Sequence, residues 1–337
     1  MVGEAVCTGG AGVAAMTAVP DGVLNVNKEK GGTSHDVVAK LRRVLRGVKI
    51  GHAGTLDPAA TGVLPVLVGK ATRIAEYLID WDKEYQAILR LGEATDTQDA
   101  TGVVLQSRPT DHLTEELIRE VIVRFQGRLT QVPPMYSAVK VGGVPLYKAA
   151  RAGRTVERES RQVTVHRIEV LGISGRDVSL SIECSKGTYV RTLCADIGEA
   201  LGVGGHLLAL ERRRVGPLTI NRAMRVEEIG ACVLLGRLGE ALLSVDEALD
   251  RMPALVVDAA TATRVVHGMP LPFQALRQES GGATPLKAGQ VVRLKDQTGR
   301  LLGLGQIPLG EGVGVENKEA DRKIRILKVF ADVQEKS

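Results

Sequence analysis

One carboxylate, Asp57, and one imidazole, His52, stand close together in the run Lys49-Ile-Gly-His-Ala-Gly-Thr-Leu-Asp-Pro-Ala-Ala-Thr-Gly62. These are residue types that attack carbon or move protons, and this is the stretch where the chain declares chemistry. Gly51, Gly54, Gly62 and Pro58 forbid a regular helix or a long strand across it. Pro58 also biases Asp57 toward an extended or turn conformation. Such punctuation makes a shaped loop, and functional groups concentrate on shaped loops. The apolar run Val63–Val68 then anchors the loop to a buried strand or short element. A single Asp-Pro of this kind is more often a solvated turn than a site, so the rest of the chain must decide.

The elements that would position this loop follow from periodicity. Val23–Val26 reads as a strand, and a polar Gly loop from Lys28 to Ser34 opens a helix with Val37, Val38, Leu41, Val44 and Leu45 at helical spacing. Thr33 or Ser34 can cap that helix. Its other face carries Lys40, Arg42, Arg43 and Arg46, either solvated or turned to phosphate. A second short helix ends across Glu76–Asp82. Lys83–Leu91 then alternates as a strand, with Tyr85, Ala87, Leu89 and Leu91 on one side. The Thr/Asp-rich segment Gly92–Gly102 favours a hydrogen-bonded turn over a metal site. Thr114 caps a helix that runs to Gln126.

Residues 131–160 are basic and loop-rich, with Arg151, Arg154 and Arg158 followed by Arg161, and form a candidate clamp for nucleic-acid phosphates. Val178–Cys184 is a strand by alternation. The turn Ser185–Gly187 leads into a helix over Thr188–Leu201, with Tyr189 and Arg191 in its first turn, where strand and helix would hold both rigidly. Residues 218–250 read as helical and connecting. From Ala254 the texture changes to short strands, clearest at Val291–Lys295, Arg300–Gln306 and Lys323–Val329, which fit an all-β module of about 80 residues.

The 337 residues suffice for two domains, and their 44% hydrophobic and 25% charged fractions are those of a globular chain. Net charge +5 and a pI near 9.0 suit a polyanionic partner. Cys7, Cys184, Cys194 and Cys232 match no zinc spacing and read as reduced thiols, Cys184 in a core. No stretch approaches the roughly 20 apolar residues a membrane span needs. Residues 1–20 lack the features of a signal peptide and read as a disordered leader; a cytoplasmic location is expected.

An ordered series of blocks resembles the TruB family of tRNA pseudouridine synthases. It runs Lys-Glu-Lys-Gly-Gly-Thr-Ser from Lys28, Gly-His-Ala-Gly-Thr-Leu-Asp-Pro-Ala-Ala-Thr-Gly from Gly51, and Asp-Lys-Glu-Tyr from Asp82. Further blocks are Gly-Glu-Ala-Thr-Asp-Thr-Gln-Asp-Ala-Thr-Gly from Gly92, Val-Pro-Pro-Met-Tyr-Ser-Ala-Val-Lys from Val132, and Ser-Lys-Gly-Thr-Tyr-Val-Arg-Thr-Leu from Ser185. The resemblance covers residues 21–250, and the tail, 254–332, is more distantly similar to a PUA-type RNA-binding domain. Glu29 stands where the family has Pro, and Glu211 where it has Arg.

The resemblance implies an α+β catalytic domain on a mixed, mainly antiparallel sheet with flanking helices, followed by a small β-barrel-like module. It implies isomerisation of uridine 55 in the TΨC arm of tRNA on a base flipped out of its stack. No cofactor and no metal are expected. Asp57 matches the nucleophile and Arg191 its ion partner, a guanidinium that favours the ionised carboxylate and lowers its pKa. Tyr85 matches an aromatic that stacks on the base, with proton abstraction from C5 as a further role. His52, Tyr189 and Leu210 match substrate contacts, and Lys28 is assigned to structure or phosphate. The expected partner is the TΨC stem-loop of tRNA, with no membrane, no obligatory protein partner and a monomeric chain. Two other readings stand beside it: a tRNA-binding folding chaperone in which catalysis is secondary, and a guide-RNA-dependent synthase.

Overall fold

The computed structural model describes residues 19–137, 139–272, 277–278, 286–308 and 323–331. Most of the expected leader, including Cys7, and parts of the C-terminal module lie outside the described residues. β1 (Gly22–Lys28) is followed by α1 (Ser34–Val44), which begins with a capping box. The Asp36 N–H donates to Thr33 Oγ1 at 3.1 Å, and the Thr33 N–H donates to Asp36 Oδ2 at 2.8 Å. Val37, Val38 and Leu41 are buried, and the basic residues lie outside, although Arg42 also reaches the Ile50 carbonyl at 3.1 Å.

β2 (Ile50–His52) and β3 (Thr61–Val68) bracket the Asp57 loop. α2 (Ala75–Ile79) leads to β4 (Lys83–Leu91), whose bounds match the alternation in the sequence. The Thr/Asp segment lies within a hairpin of β5 (Glu93–Thr95) and β6 (Val104–Ser107). α3 (Glu115–Val123), capped by Thr114, and β7 (Gly127–Gln131) follow.

The 131–160 segment is more regular than its lack of periodicity suggests. β8 (Lys140–Val141) and β9 (Val144–Pro145) form a hairpin through Gly142 and Gly143, at φ 58° and 81°, a turn glycine adopts at little cost. α4 (Leu146–Arg151) is then anchored by buried Leu146 and Ala149. Arg154 is exposed, while Arg158 is half-buried and donates to the Pro133 carbonyl at 3.1 Å.

β10 (Arg161–Ser174) is a long strand that the sequence left unmarked, bent by two bulges that break its alternation. β11 (Asp177–Cys184) and α5 (Val190–Ala200) come where expected, and Cys184 is buried. β12 (Gly205–Val215) is a second strand not anticipated. β13 (Leu218–Thr219), α6 (Val226–Leu234), β14 (Leu242–Leu243) and α7 (Val245–Ala248) complete this part.

These strands form one sheet in the order β14-β1-β3-β12-β4-β11-β10-β7, with β2 on β3 and β13 on β12. All pairings are antiparallel except β3 with β12, which run parallel at Glu211↔Thr61 and Arg212↔Gly62. The fold is therefore α+β on a mixed, mainly antiparallel sheet. α3 and α5 bury Leu89, Leu91, Val178, Leu180 and Ile182, and α1 and α6 cover Leu24, Val26, Leu64 and Val66. At about 25 cal/mol per Å² of apolar area these clusters dominate the folding energy.

A second sheet follows, with β15 (Ala254–Val256), α8 (Ala259–Val266), β16 (Leu271–Pro272), β17 (Arg277–Gln278), β18 (Val291–Lys295), β19 (Leu301–Gln306) and β20 (Lys323–Val329). Its order β16-β20-β19-β18-β15-β17 makes the curled half-barrel that the PUA resemblance implies. The module docks on the first: Arg73 donates to the Val329 carbonyl at 2.6 Å, and Asp246 holds Arg293 at 2.8 Å and Lys295 at 3.1 Å. Among the described residues no helix is long and apolar enough to cross a membrane.

Gly62 sits at the point where the parallel pairing needs it. Its φ is +101°, and a methyl group there would lie 2.3 Å from the Arg212 carbonyl oxygen. We expect Gly62→Ala to destabilise the chain by at least about 2 kcal/mol, read as a lowered melting temperature. An unchanged melt would show that β3 and β12 can separate freely here.

Candidate active site

Four neighbouring strands deliver the site: β3 emerges from the Asp57 loop, β12 carries Leu210, β4 carries Tyr85, and β11 turns into α5, which carries Arg191. The loop itself is tied down from three sides. Ser34 Oγ accepts from the Leu56 N–H at 2.8 Å and donates to the Leu56 carbonyl at 3.2 Å. The Gly31 N–H donates to the Pro58 carbonyl at 2.9 Å, and the Ala60 N–H to the Asp57 carbonyl at 3.1 Å. Beneath them Lys28 Nζ donates to the carbonyls of Ala60 at 2.7 Å, Glu29 at 3.0 Å and Pro58 at 3.2 Å.

Asp57 faces a cleft of about 450 Å³, within the usual range for a ligand site, that is also lined by His52, Tyr85, Tyr189, Arg191 and Leu210. Arg191 Nη2 donates to Asp57 Oδ2, and Arg191 Nη1 lies 3.6 Å from Asp99 Oδ2. The guanidinium is 5% exposed and the Asp57 side chain 41%, so the pair is anchored on the arginine side and open on the carboxylate side. Burial of the carboxyl raises the Asp57 pKa above the ordinary carboxylate value. This outweighs Arg191, which lowers it, and Asp99 adds to the rise. Arg191 lowers this pKa as expected, but desolvation exceeds it, so the expected net lowering is corrected to a rise. Solvent at the open face offsets part of that rise.

The other expected residues divide clearly. Tyr85 is 9% exposed, and burial pushes its phenol up to about 12 against the opposing charge of Arg212, so it stands as a neutral hydroxyl. His52 is half-buried; burial and then Arg212 lower its pKa, which keeps the imidazole neutral. Tyr189 caps α5 with its backbone and stacks under the Arg161 guanidinium, 4.7 Å from the ring centroid. Lys28 does not line the cleft. It is 1% exposed and its ammonium donates to the loop carbonyls.

Sequence reasoning passed over four residues. Arg212 is 2% exposed and donates to the carbonyls of Val63, Gly54 and Thr55. Asp99 shares Arg191 with Asp57 and is itself fixed by the Thr97 hydroxyl at 2.8 Å and the Thr101 N–H at 2.9 Å. Its turn includes Gln98 at φ 63°, uncommon for a residue with a side chain. Gln131 accepts from the Tyr189 N–H at 3.0 Å and donates back to its carbonyl at 3.3 Å. Lys83 lines the cleft with its ammonium on the Ile79 carbonyl at 2.6 Å, and burial lowers its pKa to about 8. The only signal for Asp99 was the run of threonines around it, which read as a turn without showing what the turn presents.

Comparison with known proteins identifies the family. The N-terminal domain of TruB family pseudouridylate synthases matches residues 42–190, and the tRNA pseudouridylate synthase B C-terminal domain matches residues 191–250. The chain is 47% identical to the tRNA pseudouridine synthase B of Geobacter sulfurreducens over 274 residues, 81% of this chain and 90% of that one. It is 43% identical to the protein of the same name from Aromatoleum aromaticum over 288 residues, 86% of this chain and 89% of that one. Among solved structures it is similar to a chain of a Cbf5–Nop10–Gar1 complex, at 29% identity and a TM-score of 0.72, covering 94% of this chain and 86% of that one. It is also similar to a chain of the archaeal box H/ACA Nop10–Cbf5 complex, at 27% identity and a TM-score of 0.70, covering 94% and 88%. With both family domains matched in order and relatives this close over most of its length, the chain belongs to the TruB family of pseudouridylate synthases.

Proposed function

We propose that the chain isomerises uridine 55 in the TΨC arm of tRNA, with Asp57 as nucleophile. The observation that carries this reading is the Asp57–Arg191 ion pair on the wall of a cleft shared with Tyr85, Tyr189 and Leu210. In the reaction the glycosidic bond to N1 breaks and one to C5 forms, C5 gives up a proton and N1 gains one. Nothing is oxidised or hydrolysed. Attack at C6, attack at the sugar and assistance to glycal formation all require the same ionised carboxylate. Arg191 is the group that fixes its direction, by a charge-assisted bond from a buried guanidinium.

The flipped base enters a slot between Tyr85 and Leu210, and the neutral Tyr85 phenol offers its ring to the base. Proton removal from C5 by a Tyr85 phenolate would have to work against its raised pKa. His52, neutral and at the rim, contacts the nucleotides on either side of the flipped one. The basic 131–160 segment and the C-terminal module grip the RNA through its phosphates. The chain acts as a cytoplasmic monomer without an obligatory protein partner.

Asp57→Asn is expected to leave tRNA affinity within about 3-fold of wild type while pseudouridine falls below detection, because only the nucleophile is lost. Retention of full turnover by this variant rules the mechanism out, and a chaperone reading gains if wild type also makes no pseudouridine. The likeness to H/ACA proteins leaves a guide-dependent alternative. Purified chain incubated with unmodified tRNA transcript alone should form pseudouridine at one position of the TΨC loop, and a requirement for added RNA would favour that alternative.

The pH profile follows from the sign of the Asp57 shift. A raised pKa keeps the inert, protonated acid populated to higher pH than a free carboxylate would allow. Single-turnover rates should therefore fall about tenfold per pH unit on an acid limb whose midpoint lies above the ordinary Asp value. A limb at or below that value contradicts the assignment.

A further inference from the structure

Arg212 is a full positive charge buried at 2% exposure, and among the described residues no carboxylate lies within ion-pair distance of it. A charge so placed is costly unless each of its donors is used. Its backbone lies where three strands meet, opposite Gly62 of β3 and Tyr85 of β4. Its guanidinium is spent on atoms that frame the nucleophile: Nε donates to the Val63 carbonyl at 2.7 Å, Nη2 to the Gly54 carbonyl at 3.0 Å, and Nη1 to the Thr55 carbonyl at 3.4 Å. Gly54 and Thr55 precede Asp57 in the loop and Val63 follows it, so one planar group clamps both limbs. The same charge acts on the Tyr85 hydroxyl, and the two residues are cross-strand partners.

We infer that Arg212 is a positioning residue of the reaction: its fork fixes the Asp57 loop relative to the Tyr85 ring, and its charge acts on the groups of the cleft. The inference rests on the proposed isomerisation. The fork accounts for the residue type. Five donors in one plane can serve three carbonyls that diverge around it, whereas an ammonium on a flexible stem cannot hold all three in register. The charge reaches His52, Lys83 and Asp57 as well as Tyr85. Removing it should make the carboxylate of Asp57 harder to ionise. Lys28, the other buried cation under the loop, reaches only the Pro58 and Ala60 side and does not touch Tyr85. The two cations therefore divide the loop between them.

The test uses Arg212→Met, which removes fork and charge, and Arg212→Lys, which keeps the charge. Measured under saturating tRNA transcript, Arg212→Met should lose about 10²-fold in the single-turnover rate, the scale of a misplacement of about 1 Å, with tRNA affinity within about 3-fold of wild type. Its acid limb should move to higher pH. Arg212→Lys should also lose rate, with the acid limb where wild type has it. Should Arg212→Met fail to give a cooperative melt, Arg212→Lys decides alone: a rate at least about 10-fold down with unchanged affinity supports the inference, and anything smaller overturns it. A folded Arg212→Met with a wild-type rate, or with rate and affinity lost in equal measure, likewise overturns it. Wild type assayed beside the variants separates the two levels. A wild type that makes no pseudouridine removes the proposed function and the inference with it, whereas an active wild type with unaffected variants removes the inference alone.

Discussion

Asp57 stands on a loop rich in glycine that has to be held by something other than secondary structure, and here that is a set of buried cations. Lys28 binds the carbonyls that follow Asp57, Arg212 binds those that flank the loop, and Arg191 takes the carboxylate itself. Two of the three spend their charge on backbone oxygens. Each carbonyl so engaged is one the loop would otherwise have to solvate, since a Gly/Pro loop has no ladder to satisfy it. The arrangement converts a flexible segment into a fixed one without making it a helix or a strand. Its cost is the desolvation of buried cations, which appears as the lowered pKa of Lys28.

β12 makes the arrangement possible. It is the strand between β3 and β4, so a residue at its centre can reach the Asp57 loop on one side and Tyr85 on the other. Its parallel contact with β3 lasts for only two residue pairs, and Gly62 supplies the close approach there. A longer pairing would have drawn the loop into the sheet. The brevity of this contact leaves the loop outside the ladder while tying its end to the ladder.

Much of this was legible. The bounds of β4, the capped start of α1, the strand–turn–helix that carries Tyr189 and Arg191, and the strands of the C-terminal module all follow from alternation, capping and turn residues. β12 was not, because it violates the rule by which strands are read. His206-Leu-Leu-Ala-Leu-Glu-Arg-Arg-Arg-Val does not alternate, and its triple arginine resembles a solvated basic run. In the fold those arginines separate. Arg212 points into the core, while Arg214 lies among Glu84 of β4 and Glu183 of β11, at 3.3 and 2.5 Å. Periodicity cannot show this, since the partners lie far away in sequence. For the same reason Lys28, although singled out, could not be divided between a structural role and a phosphate contact.

The Asp57 pKa was also out of reach, for a different reason. A sequence match names the guanidinium but not the volume of protein around the carboxyl, and the two act with opposite sign. Here the enclosing wall prevails over the partner. Any substrate that covers the open face deepens the desolvation further. The cations beneath the loop then matter more, since a carboxylate stripped of solvent on every side keeps its charge only through the groups that still touch it. Arg191, already 5% exposed before substrate arrives, is placed to do so without moving.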